Sequence, residues 1–343
     1  MSHNTLRRVL AASAAGFVAL SMAACGGGGS ADESASGSAS AESGDSAAAG
    51  NLDGKTVGFV AVGPEGGWRD ANEKNVQEAF EAAGATVKYN GTADNSQAKQ
   101  LQGFASFVDE GVDLILLSAT EATGWEKSLQ DAKDAEIPVI LIDRMIDPDN
   151  PDLYVQRLAP NNEEVAANAA DWANKEFPEG AKYVILEGPT GVSVVNERNA
   201  GWDSKINDKF TKVDAQTANW STEEGKTVLS SMLKANNNDI QLVFAQNDEM
   251  GLGAVQAVEE AGLKPGTDVK IITIDGTTPA LEALAAGNLS LVAEYNPLFG
   301  EDAVKTAIAA MNGEEVEKNF IVKSALFDSP EAAQKALDEG RPF

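Results

Sequence analysis

Thiols and imidazoles are almost missing from this chain of 343 residues: it has one cysteine, Cys25, and one histidine, His3. A lone thiol forms no disulfide within the chain. Basic side chains are scarce as well, 26 Lys and Arg against 53 Asp and Glu, for a formal net charge of −27. A chain this acidic repels phosphate backbones and offers no basic stripe, which excludes nucleic acid as a partner. Long apolar runs are also lacking. The most apolar stretch, from Val9 to Leu20, is too short to span a bilayer.

That short run has a recognisable setting. Arg7-Arg8 precede it, Ala23-Ala24 follow it, and Cys25 comes next. This is the pattern of a lipoprotein export signal, with residues 1–24 removed and a lipid carried on the Cys25 thiol. Anchored that way, the protein is expected on the outer face of the cell membrane. Losing the two arginines takes the charge to −29, an acidic surface suited to a soluble extracytoplasmic body. His3 is lost too. Without an imidazole the remaining chain supports neither Ser-His-Asp nor Cys-His nucleophilic chemistry, nor a His-ligated zinc. Carboxylate-only mechanisms such as glycoside hydrolysis survive this test.

Residues 25–50 are Gly, Ser, Ala and a few acids, with no aromatic or branched aliphatic side chain. They cannot bury enough apolar surface to fold and read as a flexible tether. From Lys55 onward short apolar runs alternate with helical segments. Candidate strands lie at 56–62, 86–89, 114–118, 139–143, 183–187, 242–246, 269–275 and 289–294. Between the first two, Val76, Ala79, Phe80 and Ala83 follow helical spacing, with Gly84 as the stop. Alternating β and α elements imply parallel sheets with right-handed crossovers. About 290 residues of such pattern suit two lobes.

In open α/β sheets ligands sit at the carboxyl ends of the strands. The segments there hold Gly63-Pro64-Glu65-Gly66-Gly67-Trp68-Arg69, Asp143-Arg144, Arg198, Gln246-Asn247-Asp248, Asp275-Gly276 and Glu294-Tyr295-Asn296. Carboxylates and amides accept from sugar hydroxyls, arginines donate to their oxygens, and an indole covers the C–H face of a ring. Two other motifs are set aside. Residues 147–152 have the acid density of a calcium loop without its glycine or distal glutamate. The glycines at 63, 66 and 67 have the wrong spacing for a dinucleotide loop, and Glu65 would oppose a pyrophosphate.

These stretches, together with Ala122-Thr-Gly-Trp125, Ile137-Pro-Val-Ile-Leu-Ile-Asp-Arg144, Phe244-Ala-Gln-Asn-Asp-Glu-Met-Gly-Leu-Gly-Ala254 and Ile272-Thr-Ile-Asp-Gly-Thr277, resemble the type I periplasmic binding proteins, solute receptors of ABC sugar importers. Within that family the likeness is first to fructose-binding receptors of bifidobacteria and then to galactofuranose-binding receptors. The resemblance implies two Rossmann-like lobes joined by a three-strand hinge near Arg157, Glu294 and Val322, with a ligand cleft between them. The lobes would be residues 51–157 with 295–322, and residues 158–294 with 323–343. It also implies a set of sugar ligands: Glu65, Trp68, Arg69, Asp143 and Arg144 from the first lobe, and Arg198, Asn247, Asp275 and the hinge residue Glu294 from the second. Ribose receptors carry Gln at the position of Glu294 and paired phenylalanines in the first loop, so ribose is not assumed. The expected protein is a monomer and not an enzyme, with no cofactor or metal, partnered by a monosaccharide and by an ABC permease and its ATPase. A galactofuranose or pentose receptor, a sugar-sensing module and a carboxylate glycosidase stand as alternatives.

Overall fold

The computed structural model describes residues 51–91, 95–341 and 343. The expected leader, the Cys25 anchor and the tether lie outside the described residues. Five strands build the first sheet in sequence: β1 (Thr56–Ala61), β2 (Thr86–Gly91), β3 (Leu114–Leu117), β4 (Val139–Ile142) and β5 (Arg157–Pro160). Five more build the second: β6 (Lys182–Glu187), β7 (Thr211–Thr217), β8 (Leu242–Ala245), β9 (Lys270–Asp275) and β10 (Leu291–Glu294). The chain then returns. Strand β11 (Asn319–Val322) joins the first sheet beside β5, and β12 (Leu326–Phe327) joins the second beside β10. The strand orders are β11-β5-β4-β3-β1-β2 and β12-β10-β9-β8-β6-β7.

The pairs are parallel, as alternation of strand and helix requires, except that β12 runs antiparallel to β10. The exception is a two-residue edge strand reached after the chain has returned through the first sheet at β11. Strands β3, β4, β8 and β10 are buried at every residue, which is why they read as unbroken apolar runs. Edge strands β2 and β7 have no fully buried residue and carry a mixed pattern.

Helices connect the strands: α1 (Gly67–Ala82), α2 (Gln97–Glu110), α3 (Glu126–Asp134), α4 (Asn162–Glu176), α5 (Ser193–Lys205), α6 (Thr222–Ala235), α7 (Asp248–Glu260), α8 (Thr278–Ala285), α9 (Gly300–Met311) and α10 (Pro330–Asp338). Helix α1 buries Val76 and Phe80 on the expected face. It also starts earlier than the apolar spacing suggests, so that Trp68, Arg69, Asn72 and Glu73 extend the buried stripe to its first turn. Its far end stops at Gly84, whose φ of +94° suits a residue without a Cβ.

One apolar cluster includes Phe59, Leu158, Ile185, Trp202, Ile274, Tyr295 and Phe299, and so draws on both sheets. Inside it the rings of Trp202 and Phe244 stack with centroids 4.3 Å apart. Side chains of this size contribute about 1.5–3 kcal/mol each on full burial.

Candidate functional site

The loops at the carboxyl ends of both sheets meet around one tight cavity of about 40 Å³. Local chain geometry explains how its residues arrive there. Gly63 and Gly66 take φ values of +95° and +123°, turning the chain out of β1 and into α1. Glu65 lies in that turn, and Trp68 and Arg69 follow in the first turn of the helix. Asp143 follows β4 at φ +67°, a left-handed conformation that Asp tolerates better than most residues, and Arg144 comes directly after. Asp275 ends β9, and Asn247 caps α7 by accepting from Met250 N–H at 3.0 Å. Arg198 reaches in from α5, 3% exposed.

Every arginine of the site already holds a carboxylate. Arg69 Nη2 donates to Asp143 Oδ2 at 2.5 Å, and its Nε stands 3.5 Å from Glu65. Arg144 donates to the same Glu65 carboxylate. In the second lobe Arg198 Nη2 lies 3.5 Å from Asp275 Oδ1, while its Nε donates to Asn162 Oδ1 at 2.9 Å and Nη1 donates to the Gln246 carbonyl. Aromatic faces flank these ions. The Arg69 guanidinium lies 4.8 Å from the Trp68 ring centre, and that of Arg198 lies 4.8 Å from Tyr295 and 5.7 Å from Trp220. Trp68 Nε1 donates to the Tyr295 carbonyl, and the Tyr295 hydroxyl donates to Asp143 Oδ1 at 2.8 Å.

The two sides differ in electrostatics. Burial alone would raise the Asp143 pKa, but the charges of Arg69 and Arg144 and the bonds from Arg69 and Tyr295 hold it below the usual carboxylate range. Asp275 goes the other way. Burial pushes it well above that range, Arg198 offsets only part, and nearby Asp248 and Glu249 add to the rise. Burial also raises Glu249. The site therefore combines a carboxylate held ionised by two arginines on one side with a carboxyl whose pKa burial raises on the other, both placed to hydrogen-bond a polyhydroxylated ligand.

Of the sequence-expected residues, Glu65, Trp68, Arg69, Asp143, Arg144, Arg198, Asn247 and Asp275 line this one cavity. Glu294 does not. Its carboxylate pairs with Arg341 at 2.8 Å and accepts from Ala325 N–H at 2.6 Å, tying down the segment between β11 and β12. The cavity wall also includes Val194, Trp220, Glu249 and Tyr295. Tyr295 adjoins Glu294 in sequence and could have been found there. Trp220 follows the weakly patterned β7, and Glu249 lies within the first turn of α7 like any acidic helix start.

Comparison with known proteins gives consistent matches. A sequence model described as a periplasmic binding protein domain matches residues 57–315. The chain is 50% identical over 288 residues to the fructose import binding protein FruE of Bifidobacterium longum, covering 83% of this chain and 87% of that protein. It is 36% identical to the galactofuranose-binding protein YtfQ of Escherichia coli, covering 83% and 91%. A crystal structure from Mycobacterium smegmatis in complex with β-D-fucofuranose superposes with a TM-score of 0.79 at 37% identity, covering 83% of this chain and 94% of that one.

Proposed function

The chain belongs to the periplasmic binding protein domain family, and from that premise we propose that it is the extracytoplasmic solute-binding protein of an ABC importer. Its ligand in this reading is a monosaccharide, fructose or a related furanose-capable sugar, held between the lobes and delivered to the permease. The names of its relatives favour fructose first and galactofuranose second.

The observation that carries the reading is the pairing pattern: Arg69 with Asp143, Arg144 with Glu65 and Arg198 with Asp275, with Arg69 and Arg198 beside tryptophan or tyrosine faces. No arginine of the cavity is left over for an anionic substituent, so an uncharged ligand suits it better than a sugar phosphate or uronic acid. Hydroxyl groups complement such pairs because each can donate to a carboxylate oxygen and accept from a guanidinium. Arg69 Nε and Arg144 Nε are buried without a hydrogen-bond partner in the protein, and buried donors of this kind ordinarily find one.

The ligand set proposed is Glu65, Trp68, Arg69, Asp143, Arg144, Arg198, Asn247 and Asp275, with Glu294 acting on the hinge. The proposed lobes are residues 51–157 with 295–322, and residues 158–294 with 323–343. Cys25 would carry the lipid that keeps a monomer at the outer face of the membrane. Binding would shift an open–closed equilibrium without making or breaking a bond, in a family that is a standard illustration of hinge closure.

Isothermal titration calorimetry with fructose, galactose, arabinose and ribose tests the reading. Heat at micromolar or tighter affinity with fructose alone supports a fructose receptor. A preference for galactose or arabinose moves the assignment to another furanose-capable sugar, and no heat with any of them counts against the sugar class. Release of an aryl alcohol from aryl furanosides, abolished by Asp143→Asn, would replace the receptor with a glycosidase.

A further inference from the structure

The glycine-rich turn at residues 63–67 fits no phosphate loop, and the sugar reading uses only Glu65 from it. The structure gives its last two glycines another task. Helix α1 begins without a side-chain cap of its own, because its N-cap residue is Gly66. The first N–H of the helix, that of Gly67, instead donates at 2.8 Å to Glu249 Oε1, which belongs to the other lobe. The second Glu249 oxygen accepts from Asn247 Nδ2 at 2.7 Å, fixing the carboxylate against its own helix. A Cβ on Gly66 would overlap this carboxylate, whereas one on Gly67 would keep 3.8 Å from it. The glycine at 66 therefore permits the approach of Glu249, in addition to allowing φ +123°.

We propose that Glu249 is the latch of the closed cleft, a carboxylate that completes the uncapped N-terminus of α1 from the opposite lobe and so sets how long the ligand is held. The proposal rests on the sugar-receptor reading. An uncapped helix start carries unsatisfied N–H groups and a partial positive charge, so a carboxylate there forms a charge-assisted bond. When the lobes separate, Gly67 N–H and Glu249 both turn to water. The bond thus favours the closed state selectively, which is the requirement for shifting a two-state equilibrium. Two further bonds span the same rim, Met145 N–H to Ser193 Oγ at 3.1 Å and Ala122 N–H to the Gly191 carbonyl at 3.2 Å. Both have neutral acceptors, so Glu249 provides the one charged acceptor among the three.

Because Glu249 also lines the cavity, its own variant cannot separate a latch from a ligand contact. Gly67 can, since it does not line the cavity. Gly67→Pro removes the donor at the first helical position, where proline is well accepted, and the extended ψ of −179° at Gly66 suits a residue before proline. Gly67→Ala keeps the donor and is the control. Stopped-flow tryptophan fluorescence with fructose then gives the two rate constants. Glu249→Ala and Gly67→Pro should each speed dissociation about tenfold, with association little changed, and the double variant should be no faster than either alone. Gly67→Ala should match the parent. Additive effects in the double variant, or unchanged dissociation in both single variants, overturn the latch. If the parent protein shows no response to fructose, galactose, arabinose or ribose, the sugar reading fails and Gly67 amide exchange decides the latch separately. Slower exchange in the parent than in Glu249→Ala supports it, and equal exchange overturns it.

Discussion

Replacing Asp143 by Asn removes one charge and turns one of its two acceptor oxygens into an NH2 donor. The two side chains are nearly isosteric, and Asn tolerates the φ of +67° at this position as well as Asp does. What changes is the company of Arg69 and Arg144. The Arg69–Asp143 pair is 4% and 2% exposed, so solvent cannot stand in for the missing charge. Breaking a buried pair on one side costs about 3–5 kcal/mol. Glu65 remains within 3.5 Å of Arg69 and still pairs with Arg144, which places the expected loss at the lower end, about 3 kcal/mol. For a body of this size that lowers the melting temperature by about 6 °C or more.

The same pair fixes the pH dependence. The Asp143 pKa is depressed in the folded protein, so its contribution is present above the ordinary carboxylate value near about 4 and is lost as pH falls through the folded value. Differential scanning calorimetry of parent and Asp143→Asn at pH 7 and near pH 3 should therefore show a gap that narrows in acid. A difference within about 1 °C at pH 7, or a gap that widens on acidification, would refute the reasoning.

Asp248 gives the opposite sign. Burial pushes its carboxyl up to about 6 even though it accepts from Gly276 N–H, Thr277 N–H and the Thr277 hydroxyl. Its contribution is full below about pH 4 and is lost as pH rises through 6, which amounts to roughly 3 kcal/mol at neutrality. In urea melts at pH 4, 5 and 7, Asp248→Asn should flatten the fall in stability across that interval, and a slope equal to the parent's would contradict the assignment. Trp68→Phe keeps an aromatic ring against Tyr295 but deletes the N–H that its carbonyl accepts. It should remove much of the fluorescence change on sugar binding, leaving the part due to Trp220, and an undiminished signal would place the reporter elsewhere. Gly58→Ala would set a Cβ 2.5 Å from the Phe107 ring in the first-lobe core, and overpacking of this kind costs about 1–3 kcal/mol. Denaturant midpoints should fall while sugar affinity stays unchanged.

The core strands were legible because burial on both faces writes a continuous apolar run, as in Leu114–Leu117 and Val139–Ile142. Strands β5, β7, β11 and β12 were not. Arg157–Pro160 opens with an arginine that pairs with Glu197, Thr211–Thr217 is an edge with polar residues on it, and the last two are short pieces whose pairing depends on a distant part of the chain. The site divides in the same way. Residues directly at strand ends, such as Asp143 and Asp275, could be placed from the alternation of elements and from family resemblance. Trp220 and Glu249 could not, since nothing local distinguishes a tryptophan after an edge strand or an acid in a helix's first turn from ordinary structure. Glu294 shows the converse. It sits at a strand end and is 8% exposed, yet Arg341 from the C-terminal tail turns its carboxylate to the hinge, a contact no local pattern announces.

The distribution of charge over the lobes bears on how such a protein opens. Arg69–Asp143 and Arg144–Glu65 lie wholly in the first lobe, and Arg198–Asp275 lies wholly in the second. Separating the lobes breaks none of them, so opening does not require pulling apart buried ions, a step that would cost several kcal/mol. Among the described residues, the ion pair that joins the proposed lobes is Arg157 to Glu197 at 3.0 Å, and it starts from β5, where the proposed hinge would keep displacement on rotation small. Across the rim itself run three hydrogen bonds from backbone N–H donors, with the Glu249 carboxylate as one acceptor. Each is replaced by water on opening and contributes only about 0.5–3 kcal/mol net. Under the proposed function, a cleft built this way would keep its charged pairs organised in the open state and leave the open–closed balance within reach of the few hydrogen bonds that one sugar would add.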